Sequence, residues 1–590
     1  MFTDEPSLCL PTFSYGFEDL FKTKYGYDIL DFLPVLYDAS MNNEAEDRIR
    51  IDYHSLCGEL FDENFLAIQR DWCEKNGLFL TGHLDNDHRV DWAVNHGYSS
   101  YVNSLSGLHV PGIDVIWRQI DYGKGVSEET SFFPRLASSA ACSNGCNLTV
   151  SESFGVYGSG YTYDEMRYVL NYQFLRGINI INFMNISYGR DKYLAFAERP
   201  SFDKAKPGYE NLQQLNDFTA RMTYLSSLGH SAVETLLYLP TRDFFARGSV
   251  GQEAVTSFNE LGKALESAGI DFHICDDSFI RRAEVSEDFI RLGNNNYKYV
   301  YIPKAKYIPD DVLDKLNRFQ TNAEPVCISS EGFASIRATK RILENGDELY
   351  LLVNESAGLS ETEISFTGSF DNTYELEPLS GNVYFVSEGS NIKFKLHPGE
   401  CKCYLRTNKP VEAVENSKKT EYNVSILLDS FEMAKIKSFI VDKNGGYCRY
   451  HDDECVPFGL GSWEKALGKS FSGDVLYRSS FELDFEPCGK VLVSLGEVEH
   501  SASVKINGEF IGRSVFKPME IFADSRFFRK GRNVVEITVS NTAANQFVLS
   551  GADKLFEAKE IGPYNDRSKD IERDHLDGGL YGPVMLKFVK

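Results

Sequence analysis

Two glutamates stand where a short strand would end. Met1-Phe-Thr-Asp-Glu-Pro6 and Leu148-Thr-Val-Ser-Glu-Ser-Phe154 each place a Glu after an apolar, β-prone run and before residues that turn the chain. A carboxylate at the C-terminal tip of a parallel strand points into the mouth of a (β/α) barrel, the end at which that fold carries its chemistry. Two of them, Glu5 and Glu152, would supply what cleavage of a glycosidic bond needs: an acid for the leaving oxygen and a base or nucleophile opposite. The plainer reading of each is a structural carboxylate at a strand end. Other strand tips add polar groups. His83 closes Leu78-Phe-Leu-Thr-Gly-His83 and suits either a sugar hydroxyl or a helix-capping role. Trp117 and Arg118 close Gly112-Ile-Asp-Val-Ile-Trp-Arg118, where the indole is either a stacking platform for a pyranose or a ring packed under the barrel. Asn185 and Tyr188 follow the last such run and are further candidate ligand contacts.

The elements that must hold these groups alternate. Phe13 to Tyr25 and Tyr53 to Asn76 carry helical patterns, the second ending at Asn76-Gly77 as a C-cap would. Strands are expected at Phe2–Glu5, Leu78–His83, Ile113–Arg118, Leu148–Glu152 and Ile178–Met184, with a helical stretch from Tyr163 to Arg176 before the last. Strands separated by helical spans imply βα units and a parallel sheet. Five strands are three short of a closed (β/α)8 barrel, so residues 1–232 read as the C-terminal part of a TIM-barrel catalytic domain. Glu5 would then sit on a short, frayed end, and this chain by itself is expected to be at best weakly active.

From Val233 the pattern changes. Glu234–Leu239, Ile270–Cys275, Tyr297–Ile302 and Val326–Ser329 read as strands, with helices from Glu253 to Ala268 and from Pro309, as first-turn residue, to Phe319. Residues 233–332 are therefore expected to form a flavodoxin-like α/β domain. Pro240-Thr-Arg-Asp replaces a Gly-rich phosphate loop after its first strand, which argues against a bound nucleotide. Residues 333–408 break into short strands split by turn residues, as a β-sandwich does. Lys409 to Glu421 reads as a linker, and 422–590 as a second all-β module in which Asn507-Gly508 marks a hairpin.

Composition narrows the partners. The 590-residue chain has a formal charge of −25 and 13% aromatic residues, which disfavours nucleic acid and anionic membrane surfaces and is compatible with a neutral oligo- or polysaccharide. No run approaches the ~20 apolar residues of a membrane span and no signal peptide is evident. The sequence as written is thus expected to be cytoplasmic, and secreted or periplasmic if a leader lies upstream. Nothing fixes the oligomeric state. Twelve cysteines in a chain this long do not make a disulfide framework. Cys142/Cys146 and Cys401/Cys403 lack partners at zinc spacing, and the latter two are expected on one face of a strand. Asp452-Asp453-Glu454 reads as a solvated acidic turn or a structural calcium site. No cofactor is implied.

Several motifs resemble a known group. Phe2-Thr-Asp-Glu-Pro6 resembles the fourth barrel strand of clan A glycoside hydrolases. Ser151-Glu-Ser-Phe-Gly155, Asp164-Glu-Met-Arg167 and Gln173-Phe-Leu-Arg-Gly-Ile-Asn179 resemble the last strands. Tyr477-Arg-Ser-Ser-Phe481, Val504-Lys-Ile-Asn-Gly-Glu-Phe-Ile-Gly512, Lys530-Gly-Arg-Asn533 and Gly578-Gly-Leu-Tyr-Gly-Pro583 resemble the galactose-binding-like jelly roll of these enzymes. The order of modules is most similar to the α-L-rhamnosidases of glycoside hydrolase family 106, and next to multidomain β-galactosidases. The resemblance implies that Glu5 and Glu152 are the catalytic carboxylates of strands four and seven. It also implies that Asp4 takes the place of the Asn that usually contacts the sugar 2-hydroxyl in retaining enzymes. That exchange favours an inverting rhamnosidase over a retaining β-galactosidase. The alternative from another class is a non-catalytic carbohydrate-binding remnant, because an incomplete barrel leaves two strand edges unpaired.

Overall fold

Five short strands run parallel in chain order: β1 (Phe2–Thr3), β2 (Thr81–Gly82), β3 (Val110–Ile116), β4 (Val150–Gly155) and β5 (Ile180–Phe183). They belong to a computed structural model that describes every residue except 39, 123–124, 127–129, 185, 187–199, 201, 320, 322–335, 367–369, 390, 415–419, 443–444 and 551–574. The five strands form an open half-barrel with β1 and β5 at its edges, as their number and spacing led one to expect. Register does the positioning. Asp114 of β3 lies opposite Glu152 of β4, which lies opposite Asn182 of β5. A slip of one residue would turn every one of these side chains to the other face.

Boundaries differ from the sequence reading for identifiable reasons. The helix expected from Tyr53 starts at Glu44, where Asn43 and Glu46 make a capping box, and a π-turn over Asp62–Leu66 divides it from a second helix, Ala67–Lys75. The first helix begins at Phe17 rather than Phe13, because left-handed Gly16 sits before it. β3 ends at Ile116, so Trp117 and Arg118 fall outside the strand, both with positive φ. β1 itself is only two residues long. The Met1 ammonium donates to the Phe79 carbonyl (2.7 Å), the Thr81 amide donates to that of Met1 (2.9 Å), and the His83 amide to that of Thr3 (3.3 Å).

The sheet is tight where β2, β3 and β4 meet. A Cβ on Gly112 would lie 2.4 Å from the Gly82 carbonyl oxygen and 2.6 Å from Val150 Cγ1. Gly112→Val is therefore expected to cost about 1–3 kcal/mol through overpacking, read as a lower midpoint in urea denaturation. An unchanged midpoint would show that the strands have room to separate.

Beyond the half-barrel, Thr235–Tyr238 pairs in parallel with both His273–Cys275 and Tyr299–Tyr301. Tyr297 belongs instead to an antiparallel strand, Asn295–Tyr297, which the sequence reading had merged with the parallel one. The long helix here spans Gly248–Ser267 and so starts five residues earlier than expected, with Gly248 and Gly251 inside it. Pro309 is the N-cap of Asp310–Leu316, not its first-turn residue. The strand expected at Val326–Ser329 lies outside the described residues.

A six-stranded antiparallel sheet follows, with Glu348–Asn354 and Cys401–Thr407 at its centre. Cys401 and Cys403 are both buried on one face of their strand, and Cys403 lies against Met222. The edge of this sheet is His230–Ser231, which pairs with Ile342 and Arg341. A strand from before residue 232 thus enters the sandwich. The C-terminal module holds a larger and a four-stranded antiparallel sheet around its own core of Val475, Tyr477, Val504, Ile537, Leu586 and Phe588. Its hairpin turns at Asn507 (φ 53) and Gly508 (φ 86), as Asn-Gly requires. Among the described residues no helix is long and apolar enough to cross a membrane.

One buried charge cluster ties three of these units together. Arg176, after the helix between β4 and β5, donates through Nε and one terminal nitrogen to both Glu266 oxygens (2.9 and 3.0 Å) and through the other to Glu355 (2.6 Å). Arg135 also reaches Glu266 (3.3 Å), and Arg337 reaches Glu355 (3.1 Å). The Arg176 and Glu266 side chains are only 1% and 5% exposed.

Candidate active site

Every strand of the half-barrel delivers a polar group to the same end. From the tip of β1 come Asp4 and Glu5, the latter at φ 43, a left-handed conformation uncommon for a residue other than glycine. Strain of this kind persists where surroundings impose it and gathers at functional sites. From β2 comes His83, fully buried, directly after Gly82. β3 contributes Asp114, β4 contributes Glu152, and β5 ends near the exposed Asn182.

His83 is the hub. Its Nε2 lies 3.2 Å from Glu152 Oε2 and 3.5 Å from Asp4 Oδ1. Ligand-type atoms of Glu5, His83 and Asp114 lie within 4.8 Å of one another, as do those of Asp4, His83 and Glu152. Burial opposes a charge on this imidazole, but the hydrogen bond to Glu152 and the Asp114, Asp87 and Glu152 carboxylates outweigh it and raise His83 to about 9. Burial pushes Asp87 up to about 8 and Asp114 well above the carboxylate range. Among the pulls that hold a proton on His83, the hydrogen bond to Glu152 is the largest. Glu5 is raised to about 7, first by burial and then by Asp85, Asp4 and Glu152, against the pull of His83. Partial burial and crowded like charges thus raise this glutamate toward neutrality, although its side chain stays in contact with solvent.

The structure brings together Asp4, Glu5, His83 and Glu152 of the residues singled out in the sequence. Trp117 and Arg118 follow β3 and lean on the loop after β4: the Trp117 amide donates to Gly155 (3.0 Å), Arg118 Nε donates to the Tyr157 carbonyl (2.9 Å), and its guanidinium sits 5.2 Å from the Tyr161 ring centre. Asn185 and Tyr188 lie outside the described residues. Sequence reasoning missed Asp85, Asp87, Asp114 and Asn182. The signal for Asp114 was present: an Asp inside the apolar run Gly112-Ile-Asp-Val-Ile116 has to be paid for by a role or a partner. Its backbone amide donates to Asp87 Oδ2 (3.0 Å), which fixes the second buried carboxyl beside it.

In the acidic turn weighed as a calcium site, Asp452, Asp453 and Glu454 are exposed, and Asp453 pairs with Lys435 (3.5 Å).

No family model matches the chain. It is 22% identical over 318 residues to a putative beta-glucuronidase of Formosa agariphila, a match covering 51% of this chain and 24% of that protein. The solved structure of a rhamnosidase from Novosphingobium sp. PP1Y superposes with a TM-score of 0.70 at 15% identity, covering 98% of this chain and 60% of that one. This chain thus spans about a quarter of the curated relative and 60% of the solved one. The likeness to the rhamnosidase is one of fold and runs through nearly all the residues here. The protein has a glycosidase-like multidomain fold, with a half-barrel that presents a carboxylate cluster at the C-terminal ends of its strands.

Proposed function

We propose that this chain belongs to a glycoside hydrolase that removes terminal α-L-rhamnose, or a related sugar, from an oligo- or polysaccharide by an inverting two-carboxylate mechanism. The observation that carries the reading is the convergence of Glu5 and Glu152 on one buried histidine, His83, at one strand end. The fold shared with a rhamnosidase supports the choice of sugar. Glu5 is assigned as general acid, giving its proton to the leaving oxygen. Glu152 is the base that takes a proton from the attacking water. His83 positions Glu152 and balances its charge, while Asp4 and Asn182 supply hydrogen-bonding groups for the sugar. The reading requires no cofactor.

An acid works only while protonated. Because Glu5 is raised to about 7, kcat/KM for an aryl rhamnoside is expected to fall as pH rises through about 7. Glu5→Gln should remove that alkaline limb. The same variant should lose most on a poor leaving group and little on a dinitrophenyl rhamnoside, whose phenolate departs without help. Equal losses on both substrates would rule Glu5 out as the acid.

The exposure of Asp4 and Glu5 at the tip of a two-residue β1 favours a second reading, a carbohydrate-binding chain without turnover. Saturation-transfer NMR with rhamnosides, run beside the hydrolysis assay, separates the two. Binding that Glu152→Gln changes, with no sugar released by the unaltered chain, would select it.

A further inference from the structure

A second group of titratable side chains, distinct from that around His83, meets at the boundary between the C-terminal module and the helix Tyr163–Leu175. Strand Glu497–Glu499 pairs antiparallel with Gly579–Gly582, setting Glu499 opposite Gly579 and bringing the residues just before Gly579 alongside. His575 is one of them. His500 follows Glu499 and is fixed through its amide, which donates to the Ser540 carbonyl (2.9 Å). One ligand-type atom from each of Glu499, His500 and His575 lies within 4.8 Å of the other two. The imidazoles stand edge to face with ring centres 5.0 Å apart.

Two details set this group apart from an ordinary polar cluster. The His500 side chain is nine-tenths buried, its Nδ1 lies 2.6 Å from Glu499 Oε2, and its Nε2 is buried without a hydrogen-bond partner. Leaving a buried ring nitrogen unmatched is costly, and native structures seldom do it without a reason. The second detail is Glu165. Its Oε1 lies 2.7 Å from His575 Nε2, while its Oε2 accepts from the Thr162 amide and hydroxyl (both 2.8 Å) in a helix-capping box. A carboxylate fixed by its own helix cap and holding one nitrogen of a histidine is the outer-sphere arrangement that orients a metal-binding imidazole.

We propose that Glu499, His500 and His575 form a binding site for a divalent transition metal, of the chemistry of Zn2+, with Glu165 as the positioning carboxylate behind His575. Two imidazoles and one carboxylate match the three-ligand sets that hold zinc with a fourth position open to water. Two nitrogens among three ligands are unsuited to Ca2+ or Mg2+, which take oxygen. Filling the site would fasten the C-terminal module to the half-barrel helix that starts beside Thr162.

The test uses the full chain stripped with a chelator. Titration with Zn2+ against a chromophoric chelator is expected to show a tight equivalent that His500→Ala and His575→Ala each lose. His83→Ala at the barrel mouth should keep it. Glu165→Gln should weaken it by about 10- to 100-fold. Cobalt(II) should give a visible band that disappears in the same variants, and Ca2+ should not compete. Circular dichroism of the metal-free proteins checks folding, and Glu165→Gln serves as the deciding variant should His500→Ala not fold. Failure of the unaltered chain to take up Zn2+ at micromolar concentration, or an unchanged affinity in both His500→Ala and Glu165→Gln, would overturn the proposal.

Discussion

Glu152→Gln is expected to lower the turnover of an aryl rhamnoside by about 10²–10⁴-fold, the usual worth of a positioned acid or base, with little change in thermal stability. The side chain keeps its size and can still hydrogen-bond His83, so the half-barrel has no cavity to collapse into. What disappears is the negative charge. His83 is raised to about 9 chiefly because Glu152 accepts its hydrogen bond at 3.2 Å, in opposition to burial. In the variant the burial term dominates, and the histidine should titrate well below 9. NMR of the His83 ring against pH reads this without any reference to catalysis. An unaltered titration would show that Asp114 and Asp87, not Glu152, hold the proton on His83, and the assignment of Glu152 as a charged base would fall with it.

The largest effect on stability is expected from Glu266→Ala, at about 3–5 kcal/mol, the range for removing one partner of a buried ion pair. Two guanidiniums, Arg176 and Arg135, converge on this carboxylate, and its loss leaves Arg176 with Glu355 and Arg135 with Asp271 as their remaining acidic partners away from water. The pH dependence has a definite sign. Burial would raise Glu266, but Arg176 and Arg135 overcome it and hold the carboxyl below its ordinary value. A depressed acid stabilises the folded state above its unfolded pKa, and that stabilisation is lost as the pH falls through the folded one. Urea midpoints of the parent should therefore fall from about pH 4.5 downward more steeply than those of Glu266→Ala. Parallel curves would mean the cluster is neutral in the folded protein.

The sequence shows the half-barrel clearly because a parallel strand buried on both faces must be an apolar run, and five such runs are separated by helix-length spans. Glu5 and Glu152 were legible for the same reason: a charge at the end of an apolar run is an anomaly. His83 was legible as a tip residue, but not as the hub between Asp4 and Glu152, since register between strands 69 residues apart is set by packing rather than by neighbours in sequence. Asp87 shows no pattern at all, because it sits in a loop and acquires its meaning only from the Asp114 amide it receives. Boundaries failed wherever glycine served an element rather than ending one. Gly112 lies inside β3 because β2 passes too close for a side chain, and Gly248 and Gly251 lie within a long helix. The Arg176–Glu266–Glu355 cluster was invisible in the sequence, since its members come from three separate units.

The strand His230–Ser231 also determines what kinds of motion are open to the molecule. The helix Leu212–Ser227 ends only two residues before it, and both of those are occupied: Arg341 donates to the Leu228 and Gly229 carbonyls at 2.6 and 3.1 Å. Gly229, at φ 58, has no room for a side chain, because the Ile342 carbonyl oxygen would lie 2.0 Å from its Cβ. A hinge needs a few backbone torsions free to turn, and this junction offers none. The junction therefore couples the sandwich to the helix Leu212–Ser227 as one packed unit, so that a change in the backbone at 228–229 would disturb both.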